Sequence, residues 1–300
     1  MTTPFLDLQG NPISQKDVLG SGSSALVLLQ EDVAVKIPLK CLWTDTYEVQ
    51  AHTRKLKHEQ EVYRRLQDLP YDNRLRGVVH CLRMLSESTQ LAYMPNGDLQ
   101  SYLTKVRPSP HLQLSWCVEI TRTLTFIHDR CLLVTDIASR NFLLDSDLSI
   151  KICDFSEASI LPLGSDMKTV NDCGFNTQID IGLLGTVIYE IVTGEKIRVE
   201  LFEDNANRPY WPKRESLPKT TGIWLGWIIE GCWDGKFQTA HCVLQALDNV
   251  RLSPRSQSNV TRLGQTIKDS IKGHPFIAVI GVIGLALLFG KRVASQFRRL

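Results

Sequence analysis

The stretch Val134-Thr135-Asp136-Ile137-Ala138-Ser139-Arg140-Asn141-Phe142-Leu143-Leu144-Asp145, followed by Ile150-Lys151-Ile152-Cys153-Asp154-Phe155-Ser156-Glu157-Ala158-Ser159, decides the fold. Short apolar runs alternate with polar turns across 132–152, the pattern of a hairpin. Asp136 and Asn141 stand in a loop ahead of one apolar strand, and Asp154 follows the second. Three oxygen-bearing side chains thus arrive from adjacent loops. Phosphoryl transfer needs such a set, with a carboxylate to orient the attacking hydroxyl and hard oxygen ligands for a Mg²⁺ that bridges the phosphates.

Upstream, residues 17–37 read as three short strands around the turn Gly20-Ser21-Gly22-Ser23-Ser24-Ala25. Glycines at such a turn let backbone amides approach phosphate oxygens. Lys36 lies in the apolar strand Ala34-Val35-Lys36-Ile37-Pro38, where a cation needs an anionic partner or must snorkel to water. Residues 45–68 carry Leu56, Val62 and Leu66 at helical spacing, with Glu59 as the candidate partner of Lys36 and Glu61 as the alternative on another face. Residues 78–93 give two more strands, ended by the turn Pro95-Asn96-Gly97.

Downstream, residues 98–104 and 112–129 read as helices, 156–178 as a loop, 179–193 as a buried helix, and 221–233 and 239–251 as two more helices. The order predicts an α+β, bilobal architecture: a small antiparallel β lobe with one helix (about 15–93), then a larger helical lobe (about 94–250). Residues 251–274 form a basic linker. Residues 275–290 (PFIAVIGVIGLALLFG) carry no charge, and 291–300 form a basic tail. At 1.5 Å per residue the uncharged run spans roughly 24 Å, short for a hydrocarbon core of about 30 Å. Its place after the domain and its flanking Lys272, Lys291 and Arg292 favour a single-pass C-terminal transmembrane helix over a core helix.

The net charge of +2 is too small to imply a nucleic-acid partner. The eight cysteines form no Cys-x-x-Cys pair and read as scattered free thiols. The first thirty residues lack the pattern of a signal peptide, so the folded part is expected in the cytosol.

Taken in order, GSGSSALV, AVKIP, Glu59, LAYMPNGDL, TDIASRNFLL, KICDFS and DIGLLGTVIYEIVTG resemble the eukaryotic protein kinases over about residues 15–250, with a divergence similar to small fungal kinase-like proteins. The resemblance implies ATP and Mg²⁺ as cofactors, a protein substrate, and roles by position. Gly20 and Gly22 would cover the phosphates, and Lys36 would hold them while paired with Glu59. Leu91 would gate the adenine pocket, with Ala92 to Met94 as the hinge that contacts adenine, and Asp98 would reach the ribose. Asp136 would be the catalytic base, Asn141 and Asp154 the metal ligands, and Asp180 the brace of the catalytic loop.

The chain departs from that pattern in several places. Ala25 replaces the third glycine, Val134-Thr135 the His-Arg before the base, and Ser156 the glycine of Asp-Phe-Gly. The loop between Asp154 and Asp180 is short and lacks Ala-Pro-Glu, and the stretch around Lys236-Phe237 lacks the arginine that would pair with that Glu. Without the Arg that receives a loop phosphate, phosphorylation of the loop is expected to be dispensable. The expected function is transfer of the γ-phosphate to a protein hydroxyl. Base rate favours serine or threonine, although Asp136-Ile137-Ala138-Ser139-Arg140-Asn141 is closer to the tyrosine-kinase form. The alternative is a membrane-tethered pseudokinase serving as an ATP-binding or protein-interaction scaffold. The tail resembles mitochondrial outer-membrane tail anchors.

Overall fold

A computed structural model describes residues 2–67, 77–202 and 208–250. Residues up to Val250 form one compact unit. The expected linker, membrane span (275–290) and basic tail all lie outside the described residues. Among the described residues no helix is long and apolar enough to cross a membrane.

The first lobe is a five-stranded antiparallel sheet in the order β3-β4-β5-β7-β6, built from β3 (Val18–Ser21), β4 (Ala25–Gln30), β5 (Val33–Pro38), β6 (Cys81–Met84) and β7 (Thr89–Ala92). Ala25, Leu26 and Leu28 of β4 and Ala34 and Val35 of β5 are buried, as β-branched and aliphatic residues should be on a half-covered sheet. The helix α1 (Thr46–Gln67) buries Leu56, Glu59, Gln60, Val62, Tyr63 and Leu66. Its start is fixed by a reciprocal capping box. Asp45 accepts the Glu48 amide at 2.8 Å and Glu48 accepts the Asp45 amide at 3.2 Å. The buried Gln60 amide is satisfied by the Leu85 and Ser88 carbonyls and the Thr89 hydroxyl.

A hairpin of β1 (Thr2–Leu6) and β2 (Pro12–Ser14) precedes this sheet. No strand is expected there from the residue pattern. Leu6 donates to the Lys40 carbonyl and Leu42 to that of Pro4, at 2.9 and 3.1 Å, which ties the hairpin to the chain leaving β5.

The second lobe contains α2 (Leu99–Leu103), α3 (Pro110–Asp129), α4 (Thr177–Thr193), α5 (Gly226–Trp233) and α6 (Ala240–Asp248). Ser109 caps α3 with Pro110 in its first turn, Asn176 caps α4, and Thr239 caps α6. The helix α4 is apolar almost all round and buried from Thr177 to Ile191, as its composition requires. Its glycines admit large neighbours. A Cβ at Gly182 would lie 2.5 Å from the Trp211 ring, and one at Gly185 would lie 2.6 Å from Cys232. Two hairpin-like pairs cross the front of this lobe: β8 (Leu132–Leu133) with β11 (Ser159–Ile160), and β9 (Phe142–Leu144) with β10 (Ile150–Ile152). The pairing of β11 lies inside the stretch read as loop. All eight cysteines are free thiols, as expected.

Candidate active site

The strand β5 projects Lys36 inward, with its side chain only 8% exposed, so the ammonium needs compensation. Glu59 Oε2 lies 2.7 Å from Lys36 Nζ, and Asp154 Oδ1 lies 3.0 Å away. Burial opposes the charged form of Lys36, but the two carboxylates outweigh it and hold its pKa above the ordinary value. Glu59 lies on the buried stripe of α1 and Glu61 is exposed, which resolves the choice between them. The other Glu59 oxygen accepts the Phe155 amide at 3.1 Å. One glutamate therefore fixes both the lysine and the segment that follows Asp154.

Asp154 stands just after β10 with φ 64, a left-handed conformation that costs on the order of 1 kcal/mol for a non-glycine residue. Burial pushes its carboxyl up. The Lys36 charge, the Lys36 hydrogen bond and bonds from Ser156 push it down further and prevail. Ser156, the residue in place of glycine, thus holds the carboxylate rather than freeing the backbone. The Phe155 ring is fully buried and meets Tyr63 of α1 edge-on, with centroids 5.4 Å apart.

The second group sits in the loop after β8. Asn141 Nδ2 donates to the Asp136 carbonyl at 2.9 Å and to its Oδ2 at 3.0 Å. Arg140 Nη2 reaches both Asp136 oxygens, at 2.5 and 2.7 Å. This contact was not anticipated, because an Asp-to-Arg spacing of four signals a pair only on a helix. A carboxylate offers about four lone-pair sites, and these bonds take three of them, leaving one on Oδ1. The Cys153 amide donates to the Asn141 carbonyl at 2.8 Å, locking the two groups side by side.

The loop is braced from α4. Asp180, 1% exposed, accepts the Val134 and Thr135 amides and faces His128 Nε2, each at 2.9 Å. Thr135 stands where the resemblance would put an arginine, and its hydroxyl donates to the Glu157 carbonyl at 2.7 Å. Ser139 hydrogen-bonds Glu190 of α4, whose carboxyl burial raises above its ordinary pKa.

Of the remaining expected residues, Asp98 is bridged to Leu143, two residues after Asn141. Gly20 is in β3 and Gly22 in the turn beyond it. Neither has a positive φ, and a Cβ at Gly20 would meet nothing within 4 Å. The Gly22 amide is spent on the Ala25 carbonyl at 2.8 Å, so it is not free for an anion in this conformation. Neither packing nor backbone conformation therefore demands glycine at these two positions. Ala92 ends β7 with its amide bonded to the His80 carbonyl at 2.9 Å, and Met94 is buried. Asp98 caps α2, its Oδ1 accepting the Ser101 amide at 2.8 Å.

Among the described residues no cluster of three or more His, Cys, Asp or Glu could hold a metal by itself. Asn141 and Asp154 still suit a hard cation. Asp154 uses Oδ1 for both Lys36 and Ser156, and Asn141 turns its amide nitrogen to Asp136, so each offers a further oxygen. Mg²⁺ commonly takes only one or two protein oxygens and completes its shell with water and phosphate.

Uncharged contacts join the start of α4 to the stretch around Lys236-Phe237, which lacks the arginine of the anchoring ion pair. Gln178 donates to the Phe237 and Gln238 carbonyls at 3.2 and 3.3 Å.

The family model for the protein kinase domain matches residues 13–216. Tyrosine-protein kinase JAK3 of Rattus norvegicus is 30% identical over 138 residues, which cover 39% of this chain and 12% of that protein. Receptor tyrosine-protein kinase erbB-4 of Homo sapiens is 28% identical over 212 residues, 62% of this chain and 16% of the relative. The G-type lectin S-receptor-like serine/threonine-protein kinase LECRK3 of Oryza sativa subsp. indica is 23% identical over 223 residues, 65% of this chain and 26% of the relative. The chain thus spans 26% or less of the length of these relatives, and they lend no support to a fungal origin.

Proposed function

The chain belongs to the protein kinase family, and from that premise we propose that it transfers the γ-phosphate of ATP to a hydroxyl of a protein substrate. The observation that carries this reading is the assembled pair of groups, Lys36–Glu59–Asp154 beside Asp136–Asn141. Lys36, kept cationic by two carboxylates, binds and orients phosphate oxygens. Asp136 is held by Arg140 and Asn141 with one lone-pair site left on Oδ1, which accepts the proton side of an incoming hydroxyl and aims its oxygen. Asn141 and Asp154 would hold Mg²⁺, which when bound neutralises charge on the phosphates. Gly20 and Gly22 leave room for the phosphates, Ala92 to Met94 line the adenine side, and Asp98 faces the ribose. Among acceptors, serine or threonine stays ahead of tyrosine by base rate, and the named relatives include both kinds.

The same geometry weighs only against a scaffold that binds no nucleotide, since a buried cation held by two carboxylates is a costly feature for a protein with no anion to bind. The test is phosphate transfer by the purified chain with Mg-ATP, beside Asp136→Ala and Asp154→Ala. Transfer well above both variants supports the enzyme. Nucleotide binding with no transfer above them would favour the scaffold.

We also propose that residues 275–290 anchor the chain in a membrane, on the strength of their uncharged run and basic flanks, with the kinase domain cytosolic because the first thirty residues lack a signal-peptide pattern. A fluorescent fusion of residues 252–300 that stays diffuse in the cytosol would rule this out, and colocalisation with the mitochondrial outer membrane would sharpen it.

A further inference from the structure

One broad face of α1 is fastened along its length to the segment after Asp154. Lys55 Nζ lies 2.5 Å from Glu157 Oε1, and His58 Nε2 lies 2.6 Å from the Ala158 carbonyl. Because a carbonyl only accepts, His58 must carry its proton on Nε2. Glu59 takes the Phe155 amide, Tyr63 packs on the Phe155 ring, and Arg65 Nη1 reaches the Arg130 and Leu161 carbonyls at 3.2 and 3.0 Å. Glu157 is gripped from two sides. Its side chain meets Lys55 of α1, and its carbonyl accepts the hydroxyl of Thr135, the neighbour of Asp136.

We infer that Lys55, His58 and Glu157 are positioning residues: through Glu157 and its neighbour Ala158 they couple the placement of Glu59 on Lys36 to the loop that carries Asp136, with no phosphate group in the segment. The ion pair is half exposed, so it adds little to stability by itself. Its value is geometric. It sets the rotation and depth of α1, on which the 2.7 Å Lys36–Glu59 distance depends. His58 sits between Lys55 and Glu59 on the same face and anchors the backbone of the segment rather than its charge. The alternative function for these side chains is plain surface solvation, which predicts no effect of reversing the pair.

The inference rests on the phosphotransferase reading for its rate measurement only. In the full chain, Lys55→Glu and Glu157→Lys should each lower kcat by about tenfold, as small misplacements of reacting groups do. The double swap should recover most of the loss. Thermal unfolding midpoints should stay close to the parent. Hydrogen exchange of α1 amides should quicken in each single variant and slow again in the double, and this readout does not need activity. His58→Ala should follow the single variants, with His58→Gln, which keeps a donor, closer to the parent. A parent chain with no transfer would sink the phosphotransferase reading while leaving the exchange test intact. Single variants with unchanged α1 exchange, or a double swap that recovers neither rate nor protection, would overturn the inference.

Discussion

Two ion pairs in this molecule look alike on paper and differ in kind. Lys36–Glu59 is sealed, with side chains 8% and 0% exposed, and Asp154 and the Phe155 amide complete it. Arg214–Glu230 lies in the helical lobe, each side chain 27% exposed. It is bidentate, with both bonds 2.6 Å long, and the Thr220 hydroxyl adds a third. The guanidinium also lies 5.3 Å from the centroid of the Trp233 ring. The first pair spends burial on holding a charge where a phosphate would arrive. The second uses ideal geometry at a part-wet site to tie a connecting segment to α5. A buried pair suffers most when one partner is removed, because a desolvated charge is stranded, whereas a wet pair lets water take over.

The largest expected effect is therefore at the sealed pair. Lys36→Met should lower kcat/KM for phosphate transfer by about 100-fold or more, as loss of a preorganised charge does. It should also destabilise the fold by roughly 3–5 kcal/mol, because Glu59 is left uncompensated. Transfer assays and denaturant melts would check both numbers, and a near-parental Lys36→Met would break the comparison.

Next comes the loop group. Arg140→Ala should cut kcat by about tenfold, because Asp136 keeps only its Asn141 bonds and is less well aimed. KM for ATP should change little. A variant that shifts KM and spares kcat would mean that Arg140 serves nucleotide binding instead.

Removing the wet pair should cost less. Glu230→Gln should lower stability near neutral pH by about 1 kcal/mol, the usual net worth of one hydrogen bond and the upper end for a part-wet ion pair, with transfer unchanged. The sign of its pH dependence follows from the shift. The Arg214 hydrogen bonds bring the Glu230 pKa from 4.5 to about 2. A carboxyl depressed in the folded state stabilises above its unfolded pKa and loses that contribution as pH falls through the folded one. The gap between parent and variant should thus be full above about pH 5 and close as the pH falls from there towards 2. Melts across that window would show it.

The smallest expected effect is none. Phosphatase treatment should leave activity unchanged, because Thr135 and Glu157 meet through a neutral hydrogen bond where a charge receiver would stand. Activity abolished by phosphatase would refute this.

How legible all this was in the sequence depended on distance along the chain. Asp136, Asn141 and Asp154 could be grouped because two tight turns bring them together within twenty residues, and the structure puts them side by side. Lys36 was legible as a cation in an apolar strand. Glu59 was legible over Glu61 because it shares the helical stripe of Leu56, Val62 and Leu66, whereas Glu61, two residues on, falls on nearly the opposite face. The contacts of Lys55 and His58 bridge about a hundred residues and carry no local signal. The hairpin β1–β2 was missed because Pro4, Gly10 and Pro12 break any period-two pattern in strands this short. The glycine turn falls between β3 and β4, where the alternation of apolar residues put it, and the Gly22 amide is bonded within it, which no local pattern signals.

The bond between the Thr135 hydroxyl and the Glu157 carbonyl has one more consequence. Neither atom carries a formal charge, so salt has little to screen between them. If phosphatase treatment leaves activity unchanged, this bond is a fixed connection with no input terminal. A cell could then vary its output by how much of the chain is present and what substrate lies within reach, in place of a signal written on the loop.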